Sequence, residues 1–196
     1  MLVHPDLLQR HHEGHLGYFN RLVRGPVINI PAMPPPNSPP PLWKHFSMNY
    51  LCTSNASLMR THLLESGMFD TTFDRWEDAE LAVRLKRLGV VRQFDLQAIV
   101  YHLKPPESLE ALLRTAGRDG ESAAALYKRY PSFAMRLRSG IHPLNTWRNF
   151  ALTHGPLRGV IESSATGRGP LPQSLARSLL IEEKYLSHGC AALSRP

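Results

Sequence analysis

The chain has 196 residues, a formal net charge of +7 and 42% hydrophobic residues, enough for one domain with an appendage. It contains no run of roughly 18 or more apolar residues, which argues against a membrane-spanning helix. Two cysteines, Cys52 and Cys190, stand outside any CxxC pair and fit a reducing compartment.

From the N-terminus, Met1 to Arg10 is too polar for a secretion signal, so the expected location is cytoplasmic. Pro5 to Leu16 reads as a helix with proline in its first turn. It contains HHEGH, one residue short of the HExxH zinc-protease signature. His11 and His15 are four apart and share a face, but no third ligand has suitable spacing nearby. Pro31 to Pro41, PAMPPPNSPPP, holds 7 of the 17 prolines and predicts a polyproline-like surface loop. Such a loop suits either a proline-recognising partner or the rim of a cleft.

The next stretch, Asn49 to His102, is the most informative. Ser57 to Ser66 reads as a short helix, capped by Asn55 or Ser57 and ended by Gly67. The turn FDTTFD leads to Trp76 and to a helix with Glu77, Asp78 and Glu80 in its first turn. Leu81, Leu85 and Leu88 recur at i, i+4 and i+7, and Gly89 is a natural stop. Acids in a first turn complement the helix dipole by about 0.3–1 kcal/mol each. Asp74 and Glu77 also have capping-box spacing, so spacing alone favours a structural role for these acids. Val90 to Phe94 and Ala98 to Tyr101 read as strands. His102 closes the second strand ahead of Pro105-Pro106, where a histidine is usually solvated or hydrogen-bonded.

Beyond His102 the pattern turns helical. Ser108 to Thr115 and Glu121 to Tyr130 read as separate amphipathic helices with Gly117 and Gly120 between them. Pro131 to Arg138 and Pro143 to Leu152 follow, then a GRGPLPQ break and a last helix over Ser174 to Leu186. Residues 1–102 hold 10 basic and 9 acidic side chains, and residues 103–196 hold 13 and 7, so the tail contributes +6. A basic tail suits anionic surfaces such as lipid headgroups, although arginines on solvated helices explain the same count. There is no P-loop, GxSxG elbow or zinc-finger spacing, and no aromatic-basic motif for specific nucleic-acid binding.

Four segments, SNASLMR, SGMFD, RWEDAELAVRLKRLG and AIVYH, occur in that order. Together they resemble the C-terminal half of the catalytic domain of inverting, GT-A-fold glycosyltransferases of the large family 2 type. The resemblance covers residues 2 to 104 and is specific through 49 to 102. It implies transfer of a sugar from a nucleotide-sugar donor to an acceptor hydroxyl, with inversion. Asp78 would be the general base, which the chemistry needs because a sugar hydroxyl is a poor nucleophile until its proton can leave. Glu77 would hydrogen-bond the acceptor, and Trp76 would offer an apolar face to a sugar ring or, equally, anchor a core. Asn55 would line the donor or acceptor pocket, or cap a helix. His102 would complete a site for a divalent metal, Mn2+ or Mg2+, on the donor diphosphate.

The family's Asp-x-Asp motif occurs nowhere in the chain. In relatives it stands just before a segment resembling LVHPDLLQRHHEGH, which begins here at Leu2. The resemblance therefore implies a sequence that starts after the metal motif and lacks the donor-binding strands. The expected fold is α/β. A partial GT-A (nucleotide-diphospho-sugar transferase-like) domain would span 1–104, without its N-terminal nucleotide-binding strands and with an exposed sheet edge. A mainly helical C-terminal extension would span 105–196. The alternative function is a non-catalytic acceptor-binding module. Expected partners are a nucleotide-sugar and a hydroxyl acceptor, with peripheral attachment to the inner face of an anionic membrane as a role for the basic tail.

Overall fold

A computed structural model describes residues 1–32 and 49–195. From position 33 onward the proline-rich segment lies outside the described residues. The chain is a mixed α/β protein, rich in helix and with small sheets. It forms two compact units, Met1–Thr72 with Glu77–Pro106, and Phe73–Trp76 with Glu107–Pro196. The short segment Phe73–Trp76 thus groups with the helical unit.

The first unit contains β1 (Leu2–Val3), α1 (Leu7–His15), β2 (Arg21–Arg24), β3 (Val27–Ile30), β4 (Ala56–Leu58) and α2 (Arg60–Glu65). It continues with α3 (Glu77–Arg87), β5 (Val91–Phe94) and β6 (Val100–Leu103). The β-branched run RLVRGPVINI supplies β2 and β3, each pairing in parallel with a later strand. Leu22 lies opposite Arg92 in β5, and Ile28 opposite Tyr101 in β6. β4 joins the far side of β2 and β1 the far side of β6, both antiparallel, which gives the orders β4-β2-β5 and β1-β6-β3.

Gly25 lies between β2 and β3. A Cβ there would fall 1.8 Å from the Ala98 carbonyl oxygen, so only glycine allows the two segments to approach this closely.

Leu22, Leu51, Leu81, Ala82, Leu85 and Val90 form the core of this unit. Leu81 and Leu85 point inward as their spacing predicts, but Leu88 is 43% exposed. The helix ends at Arg87, so Leu88 falls in the turn before Gly89, whose φ is +75°, while Ala82 and Val90 are buried in the core. Glu80 is buried against the Arg84 guanidinium one turn on, with contacts of 2.9 and 3.0 Å. The expected helix over Ser57 to Ser66 is corrected: Ala56–Leu58 is a strand and the helix starts only at Arg60. Asp74 makes an ion pair with Arg118 in place of the expected capping box.

The second unit holds α4 (Leu109–Arg129), α5 (Phe133–Ser139), α6 (Pro143–Thr153), α7 (Leu157–Ala165) and α8 (Gln173–Ser194). The two short helices expected over 108–130 are one continuous helix. Gly117 and Gly120 do not break it, because they face α8 at close range. A Cβ on Gly120 would sit 2.1 Å from the Tyr185 carbonyl oxygen, and one on Gly117 would sit 3.1 Å from the His188 ring. Helices pack this tightly only through small residues, and buried Ala116, Ala123 and Ala124 continue the stripe. Ser108 and Ser132 cap α4 and α5 with their hydroxyls, and Pro143 occupies the first turn of α6. A second core of Ile161, Ala165, Ala176 and Leu180 joins α7 to α8. Among the described residues no helix is long and apolar enough to cross a membrane.

Candidate functional site

Asp78 sits in the first turn of α3, half-buried. One carboxylate oxygen accepts two hydrogen bonds from Thr53, at 3.0 Å from the backbone N–H and 3.3 Å from the hydroxyl. Thr53 opens a 3-10 turn, Thr53–Asn55, so backbone geometry aims its N–H at the carboxylate. The other oxygen, Oδ1, is buried without a hydrogen-bond partner among the described residues. The arrangement anchors the carboxylate through one oxygen and leaves the other without a hydrogen-bond partner among the described residues. Glu77 precedes it in the same turn, also half-buried.

Arg24 was not singled out from the sequence, because an arginine closing an apolar strand reads as a solvated end. It is fully buried. Its Nη1 donates to the Asn49 carbonyl, while Nε and Nη2 have no partner among the described residues. Its guanidinium lies 5.4 Å from the centre of the Phe94 ring. Burial pushes this guanidinium below the usual arginine range and nearby Arg92 adds to the effect, whereas Cys52 and Asp78 oppose it. The buried guanidinium is close enough to Asp78 for the carboxylate's charge to favour its charged form.

Asn55 is buried, and every polar atom of its side chain is engaged. Its Nδ2 donates to the carbonyls of Pro26 at 2.9 Å and Ala98 at 2.7 Å, and Oδ1 accepts from His11 Nε2 at 2.8 Å. It is a strut across the Gly25-Pro26 junction and caps no helix. Since Asn55 accepts there, His11 carries its hydrogen on Nε2. In neutral His11, Nδ1 then accepts the Ser57 hydroxyl at 2.7 Å, and Ser57 Oγ accepts from His15 Nε2 at 2.9 Å. His15 Nδ1 is left buried and unpartnered. The HHEGH histidines thus converge on a serine rather than on a third ligand, and only their i, i+4 spacing pointed to a shared target.

His102 lies beside Asn29 across the β3–β6 pair, with Nδ1 3.1 Å from Asn29 Oδ1. Among the described residues no hydrogen bond joins it to Asp78, Glu77 or Asn55. No group of three or more His, Cys, Asp or Glu side chains among the described residues is arranged to hold a metal ion. His102 alone does not make a metal site, and no chemical step is assigned to a metal. Trp76 packs with the core of the helical unit, against the cluster of Ala123, Ala124 and Ile141. Its φ of +65° is uncommon for a bulky residue.

Compared with known proteins, the chain matches no family model, no curated sequence and no solved structure.

Proposed function

We propose that this chain is a glycosyltransferase-type protein of the inverting, GT-A kind, with Asp78 as its general base. The supporting observation is the asymmetric Asp78 carboxylate, tied to Thr53 through Oδ2 and unpartnered at Oδ1. In the proposed step, an acceptor hydroxyl gives its proton to the Asp78 carboxylate while its oxygen bonds to the anomeric carbon of the donor sugar. The bond to the nucleoside diphosphate breaks on the opposite face, so configuration inverts. Glu77 accepts a hydrogen bond from the acceptor and keeps its hydroxyl aligned. The ordered segments SNASLMR, SGMFD, RWEDAELAVRLKRLG and AIVYH support the same reading.

Acceptor recognition can be tested without a donor. In an NMR titration with oligosaccharides, the amide of Thr53 should shift, because its hydrogen is bonded to the proposed base. Unmoved Thr53, Glu77 and Asp78 amides across the series would count against the proposal.

A second reading, an acceptor-binding module without catalysis, is favoured by the absence of any Asp-x-Asp in the sequence. Calorimetry with a uridine nucleotide-sugar and manganese separates the two. Weak or undetectable binding is expected of a chain that presents only acceptor-side groups. Micromolar binding would show that other residues cradle the diphosphate.

A further inference from the structure

The helical unit carries large apolar side chains on its outside. Phe133, Leu144 and Trp147 are 72%, 70% and 71% exposed, and Leu137, Phe150 and Leu157 are 53%, 57% and 49% exposed. Their spacing is helical: Phe133 and Leu137 are four apart on α5, and Leu144, Trp147 and Phe150 recur every three residues on α6. Soluble surfaces scatter single apolar residues, and a concentration of this size within one 25-residue stretch marks a contact surface.

Charge identifies the partner. From Pro131 to Ile161 the sequence has four arginines, two histidines and no carboxylate. Over 131–195 there are eight Lys and Arg against three Glu, a net of +5. Glu162, Glu182 and Glu183 are ion-paired with Arg148 and Arg158, and the net of +5 already subtracts their charge. A groove of about 400 Å³ is lined by Trp147, Phe150, Pro143 and Arg136. The Arg136 Nε is buried there, with no hydrogen-bond partner among the described residues.

We propose that α5 and α6 form an interfacial binding surface for an anionic phospholipid bilayer. Trp147, Leu144 and Phe133 enter the boundary between headgroups and acyl chains, and the net positive charge of the segment draws it to lipid phosphates. An aromatic and aliphatic face on a basic, acid-free segment is the composition that lies in a membrane surface without crossing it. This surface is independent of the sugar-transfer reading.

The test is co-sedimentation of the full chain with vesicles of phosphatidylcholine alone or with one-third phosphatidylglycerol. Binding to the anionic vesicles is expected, weakened at least tenfold by raising the salt or by the Leu144→Glu, Trp147→Glu double variant. Both positions are surface-exposed, so the variant should keep its circular dichroism spectrum. Brominated lipid should quench tryptophan fluorescence in a Trp43→Phe, Trp76→Phe background, where Trp147 is the reporter. Failure to bind either vesicle, equal binding to both, or undiminished binding by the double variant would overturn the proposal. Self-association of the chain that the double variant abolishes, without vesicle binding, would instead make this face a protein interface and overturn it too.

Discussion

Asp78 and Thr53 are joined twice, because one carboxylate oxygen takes both the backbone N–H and the hydroxyl of the threonine, at 3.0 and 3.3 Å. The contact locks the first turn of α3 to the 3-10 turn ahead of β4, and it leaves Asp78 Oδ1 without a partner among the described residues. Asp78→Asn retains an oxygen acceptor and should unfold in urea within about 0.5 kcal/mol of wild type. Asp78→Ala removes the acceptor and should cost about 1–2 kcal/mol. Equal stability of all three proteins would mean the Thr53 contact contributes nothing.

Asn55 closes a second long-range link. Asn55→Ala strands the Ala98 carbonyl and the His11 N–H, and leaves the Pro26 carbonyl with the Val100 N–H at 3.1 Å. The expected loss is about 2–4 kcal/mol, read from the urea midpoint at constant slope. A loss below about 0.5 kcal/mol would show that water replaces the amide.

The helical unit tests glycine by contact. Gly120→Ala drives a methyl group against the Tyr185 carbonyl and should destabilise by about 1–3 kcal/mol. Gly159, inside α7, would place its Cβ in open space, and Gly159→Ala should stabilise by about 0.5–1 kcal/mol. Thermal melts of the two variants should therefore move in opposite directions.

Burial, with neighbouring His11 next, holds the His15 imidazole below its ordinary value of 6.5. Arg21 and His12 add to the shift, and the Ser57 hydrogen bond opposes it. The unfolded chain takes up this proton more readily than the folded one. The contribution to stability is therefore complete above pH 6.5 and is lost as pH falls through the lower folded value. In His15→Gln the urea midpoint should fall less steeply below pH 6.5 than in wild type. An unchanged slope would mean that His15 does not drive the dependence.

Local patterns in the sequence carried part of this architecture. The 3.6-residue period located α3, and β-branched runs located β5 and β6. Longer-range determinants stayed hidden. Ser57 reads as a helix cap until β2 pairs with its strand and two histidines, 42 and 46 residues away, take its hydroxyl. Gly117 and Gly120 read as a break because their reason is α8, more than 50 positions further on. α7 went unseen because Gly155-Pro156 and Gly159 resemble a loop. Of the candidate site, the position of Asp78 in a first turn was legible, whereas its Thr53 partner and the buried Arg24 beside it depend on tertiary packing.

The most direct measurement is sugar transfer from nucleotide-sugars to oligosaccharide acceptors, followed in wild type and Asp78→Asn side by side, with the product anomer assigned by NMR. On the sugar-transfer reading the result is an inverted product from wild type, formed at high donor concentration because donor binding is weak, and turnover lowered by about 10²–10⁴-fold in the variant. Wild-type turnover in Asp78→Asn, a retained anomer, or neither transfer nor acceptor binding by the wild-type chain would contradict the account.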